Sequence, residues 1–337
     1  MEKNFSLLEY NTFGFNVTAK YFLRINDTKE LTEVIDNEAY SSSRKFILGG
    51  GSNVLFKDEY FDGVIIHLDN KGIKTLEEDA DKIKIRVCGG EIWKDFVNLT
   101  VAKGYYGLEN LSDIPGSVGA SPVQNIGSYG AEVKNCIHQV HAIDINNGKT
   151  YTFNNNDCHF SYRNSIFKTE EYKRFLIYSV DFMLQKRGTV HTDYGNIKDF
   201  LMQRGVTSPC ISDVANAIKE TRANKLPEVG VIGSAGSFFQ NAIVTQEVFD
   251  RLKFKYHDIP SYPETDGRVK IPTGWLIDKA GWKGHREGNV GVWDKQALVL
   301  VHYGKGNSKE LLALMNKIQD SVKKKFGIDI QPEVNIV

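Results

Sequence analysis

The chain has 337 residues, 41% of them hydrophobic and 25% charged, which is enough apolar material to bury a core across two or three domains and excludes a disordered tail. Lysine plus arginine and aspartate plus glutamate both total 42, so no overall basic field exists to hold nucleic acid or an anionic membrane, and an anionic ligand must be met by locally placed donors. No segment is apolar for long enough to cross a bilayer, and residues 1–5 lack a basic region leading into an apolar run, so the expectation is a cytoplasmic protein with neither nucleic acid nor membrane as partner.

Residues 45–48 form an apolar strand that runs into Gly49-Gly50-Gly51-Ser52-Asn53, and residues 63–68 read as a second strand. Strict alternation predicts a half-buried strand over 82–87, ending at Gly89-Gly90. A helix follows that buries Trp93, Phe96, Val97 and Val101 and stops at Gly104. Strands are expected over 140–145 and 175–184, with Asn146-Asn147-Gly148 supplying a turn before residues 150–153. The texture changes near 186–188, after which 196–204 and 212–223 read as helices. The last helix takes Ser308 as its N-cap, stacks Leu311, Met315, Ile318, Val322 and Phe326 on one face, and ends at Gly327. Periodicity alone therefore gives an α+β chain of two or more domains. The four cysteines, Cys88, Cys136, Cys158 and Cys210, show no CxxC pairing and no histidines at zinc-site spacing; they read as reduced, structural thiols, and no metal site is legible.

Two glycine clusters carry chemistry. Gly49, Gly50, Gly51, Ser52 and Asn53 let backbone N–H groups approach a phosphate, although such turns after strands are often only turns. The residues after them look extended, so this is not the G-x-G-x-x-G of a Rossmann site, which opens a helix. The second cluster, residues 114–130, combines small residues that admit a flat cofactor with Ser117, Gln124 and Asn125, whose side chains can hydrogen-bond phosphate or ring heteroatoms. Taken by themselves the remaining candidates stay open. Arg163 beside Tyr162 reads equally as a surface ion-pair residue, Ser237 as a turn or cap instead of a hydroxyl in a tight apolar pocket, and Glu333 as a solvated tail carboxylate instead of one facing an active site.

Residues 49–56 and 108–130, joined by Ser161-Tyr162-Arg163-Asn164-Ser165, Ala235-Gly236-Ser237-Phe238-Phe239 and Gln331-Pro332-Glu333-Val334 in the same order, closely resemble the UDP-N-acetylenolpyruvoylglucosamine reductase (MurB) family. The resemblance implies an FAD-binding portion of the vanillyl-alcohol-oxidase (PCMH) type in two subdomains, 1–70 and 71–187. It also implies a substrate-binding domain over 188–325 and a tail, 326–337, that returns Glu333 to the active site. It implies non-covalent FAD held by Gly49, Gly50, Gly51, Ser52, Asn53, Ile114, Gly116, Ser117, Gly119, Ala120, Gln124, Asn125 and Gly127, NADPH as co-substrate, and UDP-N-acetylglucosamine enolpyruvate as substrate, in a monomer. Arg163 and Glu333 match residues that stabilise the reaction intermediate, and Ser237 matches the proton donor. Tyr129, Tyr162, Lys225, Asn241 and Gln296 match substrate contacts. His191-Thr192-Asp193-Tyr194-Gly195 resembles the tyrosine loop of type I members, making Tyr194 a lid over the substrate. Gln240, Ala242 and His302 depart from the family's usual lysine, proline and asparagine. The rivals are another flavin oxidase of that superfamily, whose FAD-tethering histidine is missing from the glycine turn, and a nucleotide-binding regulator, which would have no use for Arg163, Ser237 and Glu333 together.

Overall fold

The computed structural model describes residues 1–228 and 230–337. It divides into two compact units, Met1–Phe5, Ala19–Gly50 and Asp62–Arg222 in the first, Ser6–Thr18, Gly51–Phe61 and Ala223–Val337 in the second. The texture change near 187 is not this division. Residues 188–222 stay with the first unit because Ile197, Leu201, Val214, Ala217 and Ile218, from the helices Ile197–Gln203 and Ile211–Lys225, form one buried cluster against Tyr129 and Val190.

Among the described residues the first unit holds a four-stranded sheet, a five-stranded sheet and the two-stranded pair Gly127–Ser128 and Ala131–Glu132. In the four-stranded one the order is Glu2–Ser6, Thr18–Ile25, Tyr60–Leu68, Lys45–Leu48, and the last two strands run parallel with Ile47 opposite Ile66. The five-stranded sheet is antiparallel throughout, in the order Thr150–Asn154, Ile137–Asp144, Phe175–Gln185, Lys82–Cys88, Ile73–Glu78. Alternation along Lys82–Cys88 sends Ile83, Ile85 and Val87 into the core, where they meet the helix Trp93–Ala102 through Trp93, Phe96 and Val97; the Phe96 and Phe182 rings lie 4.9 Å apart. On the opposite face Asp181 is buried and takes both nitrogens of an Arg86 fork, at 2.7 and 2.8 Å, with His141 Nε2 at 3.1 Å. Burial pushes the Asp181 carboxyl up, but the Arg86 and His141 hydrogen bonds outweigh it and hold the group well below the usual carboxylate range. Gly148 takes φ +71° in the turn expected at 146–148.

In the second unit Gly233–Ser237, Val299–His302, Val290–Val292 and Arg286–Glu287 form an antiparallel sheet, and Ala242–Val244, Val269–Ile271 and Tyr262–Pro263 form a smaller one. The helix Ser308–Phe326 buries Leu311, Leu314, Met315, Ile318, Val322 and Phe326 and stops at Gly327 with φ +70°. Its N-cap is Asn307, not Ser308: Asn307 Oδ1 accepts the Glu310 N–H at 3.1 Å, while the Ser308 hydroxyl donates to the Lys57 carbonyl at 2.7 Å. Among the described residues no helix is long and apolar enough to cross a membrane. All four cysteines are free; burial pushes the Cys136 and Cys158 thiols up to about 12, so both stay protonated at neutral pH, whereas Cys210 is exposed.

His302 bridges two backbone segments. It is buried, with Nδ1 donating to the Phe13 carbonyl at 2.9 Å, Nε2 accepting the Gly306 N–H at 3.0 Å, and its ring stacked on Phe15 at 4.4 Å. His302→Ala, which strands a buried N–H and C=O and leaves a cavity, is expected to lower unfolding stability by about 2–4 kcal/mol, read from the midpoint of urea denaturation.

Candidate active site

The sequence places glycines where two backbones lie against each other. After the strand Lys45–Leu48, Gly50 runs beside Gly116 so closely that a Cβ on it would stand 2.9 Å from the Gly116 Cα, and a Cβ on Gly49 would meet Ser117 Oγ at 3.0 Å and Ala120 Cβ at 3.2 Å. Gly119 is equally confined, its Cβ position 2.6 Å from the Ile177 carbonyl. The loop 116–121 is itself fixed by backbone bonds from Trp93 to Gly116 (3.0 Å), Val118 to Glu91 (2.8 Å) and Gly119 to Gly89 (2.8 Å). The two loops thus pack backbone to backbone with Ser117 beside Gly49, and the extended Val54–Leu55 that follows the first loop is not the helix of a Rossmann turn.

Arg163 sits on a two-residue turn. Ser161 and Asn164 exchange backbone hydrogen bonds at 3.0 and 3.1 Å, and Arg163 adopts φ +52°, a left-handed conformation unusual for a side-chain-bearing residue. The turn is held by Asn125, expected from sequence to offer its amide to the cofactor. That amide is instead fully buried and spent on protein: Nδ2 donates to the Ser161 carbonyl at 3.0 Å and to Glu132 at 3.1 Å, and Oδ1 accepts the Lys134 N–H at 3.1 Å. Gly127 likewise serves Arg163, whose Nη2 donates to the Gly127 carbonyl. The guanidinium carbon lies 5.3 Å from the Tyr162 ring centre, so three candidates, Asn125, Gly127 and Tyr162, are brought together to aim one cation.

Tyr129 and Tyr194 are neighbours too. A Cβ on Gly130 would stand 3.1 Å from Tyr194 Cβ, and the buried Asn110 donates from Nδ2 both to the Tyr129 carbonyl (2.9 Å) and to the His191 carbonyl (3.0 Å), which ties the tyrosine loop to the Tyr129 turn. Burial pushes the Tyr129 phenol up while Arg222 pulls it down. Arg222 was not legible as a site residue: its side chain is only 17% exposed, its Nε donates to the Asp113 carbonyl at 3.1 Å, and burial lowers its affinity for the proton. Its one signal in the sequence is its place three residues before Lys225, on the same helix face.

The second unit gathers Ser237, Glu333 and Asn53. Ser237 ends the strand Gly233–Ser237 opposite Val299 and is exposed, not enclosed in an apolar pocket; the anchors are its neighbours Phe238 and Phe239, at 0% and 1% exposure. The C-terminal tail runs alongside: Glu333 N–H donates to the Phe238 carbonyl at 2.7 Å and Gln240 N–H to the Gln331 carbonyl at 2.9 Å. Asn335–Ile336 then pairs in parallel with Val54–Leu55, and Asn53 Nδ2 donates to the Glu333 carbonyl at 3.3 Å. Elsewhere in this unit Asn241 and Gln296 approach the start of the helix Thr273–Lys279, and the exposed Lys225 gives its carbonyl to Trp293 Nε1 at 3.0 Å.

Comparison with known proteins finds a match in each part of the chain. Residues 19–154 match the model of an FAD binding domain, and residues 227–337 match the C-terminal domain of UDP-N-acetylenolpyruvoylglucosamine reductase. The UDP-N-acetylenolpyruvoylglucosamine reductase of Bacteroides fragilis is 45% identical over all of both chains, and that of Chromobacterium violaceum is 43% identical over 97% of this chain and 96% of its own. The crystal structure of the corresponding reductase from Thermus caldophilus superposes with a TM-score of 0.67 at 20% identity, covering 98% of this chain and 96% of that one, a likeness of fold.

Proposed function

Since the chain belongs to the UDP-N-acetylenolpyruvoylglucosamine reductase family and carries its FAD binding domain, we propose that it reduces UDP-N-acetylglucosamine enolpyruvate to UDP-N-acetylmuramate with NADPH, a step in the supply of peptidoglycan precursor. The observation that carries the reading is the way the fold spends residues around a single cation: Asn125 holds the turn through the Ser161 carbonyl, and the Gly127 carbonyl and Tyr162 ring hold the Arg163 guanidinium, on a strained turn that a merely solvated arginine would not need. FAD, held by the glycine-rich loops that carry Gly49, Gly50, Gly116, Ser117 and Gly119, would supply the two-electron chemistry that links NADPH to the enolpyruvyl group.

The protein's own groups complete the addition. Arg163 and Glu333 hold and stabilise the substrate as its carboxylate takes up charge in an enolate-like intermediate, Arg163 through the fork geometry that suits a carboxylate. Ser237 gives its hydroxyl proton to the ether-bearing carbon; a hydroxyl is a weak acid, so it must be aimed at a strongly basic carbanion and re-protonated from solvent, which its exposed position permits. Tyr129, Tyr194, Lys225 and Asn241 bind the UDP-sugar, and Lys225 suits its diphosphate as a flexible point charge. We add Arg222, the buried cation beside Tyr129, to that set. The test is consumption of NADPH by the purified chain on adding the enolpyruvyl substrate, with one product molecule two hydrogens heavier formed per NADPH oxidised; oxidation of NADPH indifferent to that substrate would refute the assignment.

A further inference from the structure

Two tyrosine turns interlock in the first unit. Tyr129 adopts φ +46° ahead of Gly130 at φ +81°, and Tyr194 precedes Gly195 at φ +67°. Each tyrosine lies against the other's glycine: a Cβ on Gly130 would stand 3.1 Å from Tyr194 Cβ, and one on Gly195 would stand 3.9 Å from Tyr129 Cδ1. A left-handed backbone is unfavourable for a tyrosine, so Tyr129 keeps it only where its surroundings impose it.

Asn110 supplies that constraint. It is 2% exposed and sits on the single turn Glu109–Leu111, where Leu108 and Leu111 are buried in the core and the Leu111 carbonyl accepts Trp93 Nε1–H at 3.0 Å. From this fixed base Nδ2 donates to the Tyr129 carbonyl at 2.9 Å and to the His191 carbonyl, 81 residues further along the chain, at 3.0 Å. An amide nitrogen carries two hydrogens, so one side chain holds both turns and spends its whole donor capacity on them. Neither carbonyl belongs to a helix or a strand, and no ladder substitutes for Asn110 there.

We propose that Asn110 is a positioning residue for substrate binding: it clamps the 191–195 loop to the Tyr129 turn, so that Tyr129 and Tyr194 meet the UDP-sugar as one surface. This rests on the reductase assignment above. Asn110 is buried and acts through the two tyrosines.

Kinetics and amide hydrogen exchange on the FAD-loaded full chain test it, with Asn110→Ala, Tyr194→Ala and the double variant. Asn110→Ala is expected to raise KM for UDP-N-acetylglucosamine enolpyruvate about tenfold, the size of one or two lost hydrogen bonds, with kcat and the rate of flavin bleaching by NADPH each within about twofold. Amides of residues 191–195 should exchange about tenfold faster, while those of the strand Lys82–Cys88 keep the parent rate. The double variant should lose less than the product of the two single losses, because both act on one loop. Should alanine prevent folding, seen as loss of bound FAD, Gly130→Ala opens the same junction from the other side, its methyl 3.1 Å from Tyr194 Cβ, with the same KM and exchange expected. An unchanged KM or unchanged loop exchange in the folded variants, or single losses that simply multiply, would overturn the clamp while leaving the activity in place. An unsubstituted enzyme that fails to turn over this substrate would overturn both.

Discussion

Ser237→Ala is expected to leave a folded, FAD-binding protein that NADPH still bleaches, while turnover of the enolpyruvyl substrate falls about 10²–10⁴-fold, the range a positioned proton donor contributes. The structure separates the two properties. Local stability comes from Phe238 and Phe239, both buried, and from the Phe238 N–H bond to the Leu298 carbonyl at 2.7 Å, none of which involves the Ser237 hydroxyl. Stopped-flow absorbance resolves the half-reactions: the first step should match the parent, and only re-oxidation by the enolpyruvyl substrate should slow. Equal slowing of both steps would remove Ser237 from the proton-donor role.

Gly127→Ala carries the second large effect and reaches Arg163 without touching it in sequence. The new methyl would stand 2.6 Å from Arg163 Nη1 and 2.9 Å from the Ala131 carbonyl. The guanidinium, at the end of a flexible side chain, is what gives way, and it loses its bond to the Gly127 carbonyl as it moves. A displacement of about 1 Å in a group aimed at developing charge costs roughly 10²-fold in rate. Expected is a loss of that size in kcat/KM with FAD content retained; Arg163→Ala should cost at least as much, and Gly127→Ala added to it should cost little more. Parent-like activity in Gly127→Ala would mean that the Arg163 guanidinium is not held for catalysis.

What the sequence made legible was what local pattern dictates. Strict alternation marked the strand Lys82–Cys88, heptad-like spacing with Gly327 marked the helix Ser308–Phe326, and the extended residues after Gly49–Asn53 correctly excluded a Rossmann turn. The cap of that last helix was misplaced by one residue because Asn307 and Ser308 are both good caps; the choice is made by the Lys57 carbonyl, distant in sequence, which takes the serine hydroxyl. The same limit explains the site. Asn125 looks like a cofactor ligand in a glycine-rich run, yet its partners Glu132, Lys134 and Ser161 are recruited by the turn that carries Arg163, and no local signal announces them. Arg222 gave no signal for a related reason: its place beside Tyr129 is supplied only by the fold.

The proposed reaction passes hydride from NADPH, through one FAD-loaded chain, to the enolpyruvyl group of a UDP-amino sugar. An anaerobic absorbance spectrum tests it most directly, recorded first with NADPH alone and then after UDP-N-acetylglucosamine enolpyruvate is added. Expected is a yellow protein that bleaches with NADPH and regains its oxidised-flavin spectrum with the enolpyruvyl substrate in the absence of oxygen. A protein that bleaches but recovers only when oxygen is admitted, or one that takes up no FAD, would contradict it.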